Sequence, residues 1–354
     1  MLFIGEPLKE YIATTEPDGT LSNQSFTGFA GDVAPNMASY TQVVAAQFGI
    51  PCTIDVLTAV GPEGDGQSDD IVADFKARSL NIHPYTKRLA GKELGIVINL
   101  KNTDGSQSQE KVRLDRSNSA FRDLLNDATH QDLATMADGY THVVVSSTSL
   151  ACVLDRAKLI TLLREARTND PPPRIVVSTN LRSPNWQMPD REHPGGLSPH
   201  DHAWRQKAQH WLDAVIQLAD VVFANFTDER SLRGCETPEE VGQVLRRLNE
   251  KAEILITNDA DPVLAIYDDG ERQRCVRVSV HPAEQVIDTV GAGDAFAGTY
   301  VAARMAGRDW LAAVECALAI ASQVVGFDGA VPRNGRSLVF DPRVLGAPTV
   351  PYPL

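Results

Sequence analysis

Short unbroken apolar runs alternate along this chain with segments in which apolar residues recur every three or four positions. The runs lie at Thr53–Ala59, His142–Val145, Ile175–Val177, Val221–Phe223 and Ile254–Ile256, and the periodic segments at Ile71–Arg78, Arg156–Arg167, Trp204–Leu218 and Glu239–Leu248. A strand covered on both faces is apolar at every position, whereas a helix lying on a sheet is apolar along one stripe. The alternation therefore predicts an α/β fold, with a central, mainly parallel sheet flanked by helices. Met1-Leu2-Phe3-Ile4-Gly5 adds a first buried strand that ends at a glycine. In such sheets ligands bind beyond the carboxyl ends of the strands, so the residues just after each strand are the ones to inspect.

Two regions break this rhythm. Residues Pro7–Phe29 and Thr86–Arg116 are polar, alternating and turn-rich, and Thr103-Asp104-Gly105-Ser106 is a hairpin signal between Gly95–Leu100 and Lys111–Leu114. Both regions are predicted to form a small antiparallel β lid, with one domain over 1–345 and a proline-rich tail over 346–354. Ser183–His202, rich in Pro, Gly and His, is predicted as a solvated loop.

Composition narrows the function. No stretch approaches the 18 or so apolar residues of a membrane helix, and the first residues lack the basic and apolar regions of a signal peptide. The formal charge of −13 over 354 residues argues against a nucleic-acid partner. It does not exclude a small anionic ligand held by a few local arginines. Cys52, Cys152, Cys235, Cys275 and Cys316 are scattered and odd in number, which suits free thiols in the cytoplasm rather than disulfides or a zinc site. His193, His200 and His202 have no second cluster at zinc spacing, so no metal ligand is assigned directly.

The chemistry concentrates in Val286-Ile287-Asp288-Thr289-Val290-Gly291-Ala292-Gly293-Asp294-Ala295-Phe296-Ala297-Gly298, followed by an alanine-rich helix from Asp294 to about Ala306 and closed by Gly307. Gly291, Ala292 and Gly293 are small residues at a helix N-terminus, where N–H groups and the helix dipole favour an anion. That hole suits a transferring phosphoryl group. Asp294 beside it can take the proton of an attacking hydroxyl. Taken alone, Gly-Ala-Gly-Asp is also compatible with a plain turn capped by the aspartate.

Asp288-Thr289-Val290-Gly291-Ala292-Gly293-Asp294 resembles the C-terminal signature of the PfkB, or ribokinase-like, carbohydrate kinases. Gly31-Asp32-Val33 with Asn36 resembles that family's sugar-binding loop, and Thr58-Ala59-Val60-Gly61 with Gly64-Asp65 its next strand and turn. Within the family the residues most resemble 2-keto-3-deoxygluconate kinases, through Arg116 after the lid hairpin and Asn180-Leu181-Arg182 after a central strand. The resemblance implies a substrate cleft under the lid, phosphorylation of a terminal hydroxymethyl group of a sugar or sugar acid, ATP with magnesium, and a monovalent cation. It further implies sugar contacts from Gly31, Asp32, Asn36 and Asn180. Arg116 and Arg182 have the fork geometry to hold a carboxylate or phosphate. Asn225-Phe226-Thr227-Asp228-Glu229 resembles the family's Asn-x-x-Glu element, so either Asp228 or Glu229 would act through a water on magnesium. Thr257, Asp259 and Asp288 are the other positions placed near nucleotide and metal. The lid also exposes apolar strand surface, which suits a homodimer.

Several residues depart from the family pattern. Ile256-Thr257-Asn258-Asp259-Ala260-Asp261-Pro262 stands where a glycine-containing loop near the nucleotide phosphates is usual, bringing a carboxylate and removing an N–H. Ala30 replaces the first glycine of the sugar loop, Pro35 precedes the asparagine, Ser178 replaces an aspartate, and the lid lacks tyrosines. These departures leave two readings: an active kinase of a sugar acid or related sugar, or a sugar-binding member of the same fold that has lost efficient use of ATP.

Overall fold

A computed structural model describes residues 1–15, 27–102, 107–113, 118–200, 202–268, 270–327, 329–331 and 338. Its contacts divide the chain into two compact units: Met1–Gly5 with Arg122–Val280, and Glu6–Phe121 with His281–Pro353.

The first unit holds the alternating segments. Its strands lie in the order Gln273–Val278, Asp261–Asp268, Glu253–Asn258, Val221–Asn225, Arg174–Ser178, His142–Ser146 and Leu2–Ile4. From Leu2–Ile4 through Glu253–Asn258 the pairs are parallel, and the last two strands are added antiparallel. The parallel strands are the apolar runs of the sequence, and His142–Ser146 is buried at every position. The helices Arg156–Ala166, Ala203–Ile216, Phe226–Arg233 and Pro238–Leu248 connect and flank them.

The Ser183–His202 segment is less solvated than its composition predicts. Ser183–Gln187 is a short helix with Pro184 in its first turn, where the missing N–H costs nothing, and Trp186 is fully buried. Farther on, the buried Asp190 carboxylate receives Arg156 Nη1 at 3.0 Å and has Lys207 Nζ at 2.6 Å, while its other oxygen accepts the Glu192 and His193 N–H groups. Prolines and glycines shape the segment, but a buried ion pair pins it.

The second unit contains the small sheet, with strand order Thr27–Gly31, Leu8–Thr15, Gly95–Asn102 and Gln107–Arg113. The outer pairs are antiparallel as expected, but Leu8–Thr15 and Gly95–Asn102 run parallel, so the sheet is mixed rather than antiparallel. Each hairpin sets its own antiparallel pair locally. The pairing between the hairpins joins strands far apart in sequence, and no local signal fixes its direction. The hairpin turn at Thr103–Ser106, Arg116 and the 346–354 tail lie outside the described residues.

The same unit carries the helices Val33–Gln47, Ala292–Met305 and Trp310–Val324. The first two cross almost backbone to backbone. A Cβ at Gly298 would come 2.5 Å from the Met37 carbonyl oxygen and 2.9 Å from the Tyr40 Cβ. Thr41 Oγ1 donates to the Met37 carbonyl and also lies 3.1 Å from the Gly298 carbonyl oxygen. This crossing holds the start of Ala292–Met305 against the first helix.

Candidate active site

The Gly291–Asp294 string opens the helix Ala292–Met305, which starts two residues before the expected point and ends at Met305, with Gly307 following at φ 75°. Gly291 is its N-cap residue, at φ 84°, a region glycine enters without strain. A Cβ there would strike the Ala330 carbonyl oxygen and approach the Ala330 Cα to 2.6 Å, whereas a Cβ at Gly293 would meet nothing within 4 Å among the described residues. The turn is thus backed by Ala330 on one side and open on the other. Ala295 N–H makes a bond to the Gly291 carbonyl at 2.8 Å. The earlier N–H groups of the first turn have no acceptor inside the helix, which leaves positive potential at its mouth.

Asp294 is the third residue of this helix and only 7% exposed. Asn36 Nδ2 donates to its Oδ2 at 2.9 Å. Asn36 lies one turn inside the Val33–Gln47 helix, whose first turn accommodates Pro35. The Asn36 Oδ1 is buried and makes no hydrogen bond among the described residues. Asp32 precedes this helix at φ 99° and ψ 161°, and its side chain does not cap it. For a non-glycine residue this backbone costs about 1–3 kcal/mol and persists where the surroundings impose it. Gly31 before it is buried and closes the Thr27–Gly31 strand.

Asp288, assigned to nucleotide and metal from sequence, has visible structural work. Its Oδ1 accepts the Val290 N–H at 2.9 Å and its Oδ2 the Gly329 N–H at 3.1 Å. It ties the turn before Gly291 to the segment that backs it.

The other candidate residues belong to the first unit and gather at the carboxyl ends of three successive parallel strands, Arg174–Ser178, Val221–Asn225 and Glu253–Asn258. Asn180 and Arg182 follow the first, and the Leu181 N–H between them donates to Asp228 Oδ2 at 2.9 Å. Asn225 caps the helix Phe226–Arg233 by accepting the Asp228 N–H at 3.2 Å. The sequence left Asp228 and Glu229 as alternatives. Glu229 is fully buried and bound by Arg233 Nε at 2.6 Å, with Arg233 also held by Asp213 at 2.7 Å. Asp228 is half-buried. Burial pushes its carboxyl up to about 6, with the Glu229 and Asp259 charges adding, against the opposing effects of the Arg182 charge and the Leu181 N–H. The Asn180 Oδ1 is a buried acceptor with no hydrogen bond among the described residues.

Thr257 Oγ1 donates to the Ala224 carbonyl at 3.3 Å. The Asn258–Asp261 segment is a tight hairpin between antiparallel strands, tied by Asn258 Nδ2 to Asp261 Oδ2 at 2.7 Å. Asp259 sits exposed at its tip with φ 48°. The bulge in this pairing falls beside Pro262, which has no N–H to give the ladder.

Sequence reasoning missed two residues that back the Gly291 turn, Tyr40 and Ala330. Tyr40 is one helical turn beyond Asn36, and that i, i+4 spacing was the available signal. Ala330 lies in a short segment without periodicity and left no signal. Among the described residues no group of three or more His, Cys, Asp or Glu side chains is placed to hold a metal, and no helix is long and apolar enough to cross a membrane.

Residues 197–333 match the family model of pfkB family carbohydrate kinases. The sequence is 26% identical over 310 residues to a 2-dehydro-3-deoxygluconokinase of Dickeya dadantii, covering 86% of this chain and 89% of that one. A 2-dehydro-3-deoxygluconokinase structure from Thermotoga maritima superposes with a TM-score of 0.68 at 19% identity, covering 93% of each chain. A putative ribokinase II of Escherichia coli, solved in complex with ATP and Mg2+, gives 0.69 at 18% identity, also over 93% of each chain. The two structures establish a shared ribokinase-like fold.

Proposed function

We propose that this chain is a carbohydrate kinase of the PfkB family, which its similarity to the pfkB family model and to a 2-dehydro-3-deoxygluconokinase supports, and that it transfers the γ-phosphoryl group of ATP to a terminal hydroxymethyl group of a sugar acid of the 2-keto-3-deoxygluconate type. The observation that carries this reading is the buried Asp294 carboxylate in the first turn of a helix opened by left-handed Gly291, with one oxygen already held by Asn36. Asp294 takes the proton of the attacking hydroxyl. The Gly291–Gly293 turn stabilises charge on the transferring group. Asp32 and the free Asn36 Oδ1 accept hydrogen bonds from sugar hydroxyls, and Gly31 lets the backbone approach. Arg182, and Arg116 with it, hold the carboxylate of the acid.

Magnesium, when bound, neutralises phosphate charge. Asp228, with Asn225 beside it, would hold it through water. A carboxylate whose ionised form is disfavoured by burial gains from a nearby cation, and Asp228 fits that role better than Glu229, whose charge is matched by Arg233. Thr257 and Asp259 stand at the next strand end. Exposure of Asp259 at a hairpin tip keeps its charge in water, which supports continued use of ATP.

A consequence of this electrostatics concerns pH. The folded Asp228 carboxyl is raised above its ordinary value, so its neutral form is the one the fold favours. The stability it contributes is full below about pH 4 and is lost as pH rises through 6. In metal-free protein, Asp228→Asn is expected to raise the melting temperature at pH 7.5 by roughly 2–4 °C and to change it little at pH 4. The same variant should lose magnesium-dependent turnover. Melting curves at the two pH values, with ADP release at varied magnesium, check both parts.

The proposed reaction is tested by ADP release with ATP and magnesium across paired sugar acids and neutral sugars. Release with 2-keto-3-deoxygluconate or a related acid is expected. Calorimetric binding of a sugar with no ADP release from any acceptor would replace this reading with that of a sugar-binding protein.

A further inference from the structure

Tyr40 is 1% exposed, and its ring packs with Ala295, Ile320 and Val324, bordered by Val331 and Leu338. Its hydroxyl donates to the Ala330 carbonyl at 2.7 Å. Burial, with the Asp294 charge adding to it, raises the phenol above its ordinary range, so it stays a protonated donor.

The partner of that bond matters. Ala330 is the residue against which Gly291 is packed, with no room for a Cβ between them. The neighbouring Gly329 N–H is held by Asp288. The segment behind the turn is therefore fastened at two successive residues, one by Asp288 and one by Tyr40. Asn36, one turn earlier on the Tyr40 helix, holds Asp294 itself. One helix thus reaches the reacting carboxylate directly and the back of its turn indirectly, and the close crossing at Gly298 keeps the two helices in register.

We propose that Tyr40 is a positioning residue for phosphoryl transfer: by holding the Ala330 carbonyl against Gly291 it fixes the turn that opens the helix, and with it the aim of Asp294. This rests on Asp294 as the base. Tyr40 touches no reacting atom. Its effect on rate comes from geometry, and small misplacements at a reacting centre carry large rate effects.

The experiment compares Tyr40→Phe with Thr41→Val. Thr41 is the buried neighbour whose hydroxyl bonds the same helix crossing without reaching Ala330. Amide hydrogen exchange over 288–294 needs no substrate. Exchange there is expected to rise in Tyr40→Phe and not in Thr41→Val. With the acceptor giving most ADP in the screen above, kcat of Tyr40→Phe is expected to fall roughly tenfold with sugar KM within about twofold, while Thr41→Val keeps the wild-type kcat. Should Tyr40→Phe fail to fold, Asp288→Asn loosens the other fastening and is expected to show the same rise in exchange over 288–294. Unchanged exchange in Tyr40→Phe, or in Asp288→Asn where that variant replaces it, overturns the proposal. So does an unchanged kcat in Tyr40→Phe, or an equal loss in Thr41→Val. Asp294→Asn in the same assay separates the two readings: full turnover there removes the base while the exchange result still judges Tyr40.

Discussion

Asp294→Asn is expected to lower kcat by about 10²–10⁴-fold, the usual loss when a general base is removed, with sugar affinity little changed. The substitution keeps shape and an acceptor oxygen, so the Asn36 Nδ2 bond to this position survives. It removes the negative charge and the site for the hydroxyl proton. The first-turn position is also where a carboxylate gains from the helix dipole, so losing the charge costs a little stability, which a melting curve measures separately. Sugar affinity by calorimetry and turnover by ADP release in one preparation give the decisive pair. A kcat within tenfold of wild type would remove the base assignment, and a parallel loss of sugar binding would turn Asp294 into a binding residue.

The elements that frame this site were legible because their signals are local. The parallel strands are unbroken apolar runs, and the Gly-Ala-Gly-Asp string places a helix start beside small residues. What escaped the sequence depends on partners distant in the chain. The direction of pairing between the two hairpins of the small sheet is set by strands whose partners, such as Leu8 and Gly95, are 87 residues apart, and changes no local pattern. Ser183–Gln187 is helical because Trp186 is buried and Pro184 tolerates the first turn, against a composition that signals loop. The choice between Asp228 and Glu229 was more accessible: Arg233 stands four residues after Glu229, a spacing that pairs opposite charges on a helix. Asn258–Asp261 is dense in turn-forming residues, and that signal for a hairpin competes with its place in the family pattern.

Arg182→Ala is expected to raise KM for a sugar acid roughly 10–150-fold and to leave KM for the matching neutral sugar nearly unchanged. The figure corresponds to about 1.5–3 kcal/mol for one charge-assisted hydrogen bond. Among the described residues the Arg182 guanidinium forms no ion pair, and its one hydrogen bond goes to the Leu181 carbonyl at 3.3 Å. Its guanidinium fork is therefore largely uncommitted, unlike those of Arg156 and Arg233, which are bound to buried carboxylates. The Arg182 charge has a second effect, because it opposes the burial that raises Asp228. Removing it lets the Asp228 carboxyl rise above about 6, so the variant should also need more magnesium near pH 6.5, with acid and neutral sugars alike. By pH 8.5 Asp228 is ionised in both proteins and that shared penalty should disappear, whereas the penalty specific to the acid should persist. KM for both sugars at the two pH values, with magnesium varied, resolves the two effects. An equal rise in KM for acid and neutral sugar at pH 8.5 would take the carboxylate away from Arg182 and leave it acting through Asp228.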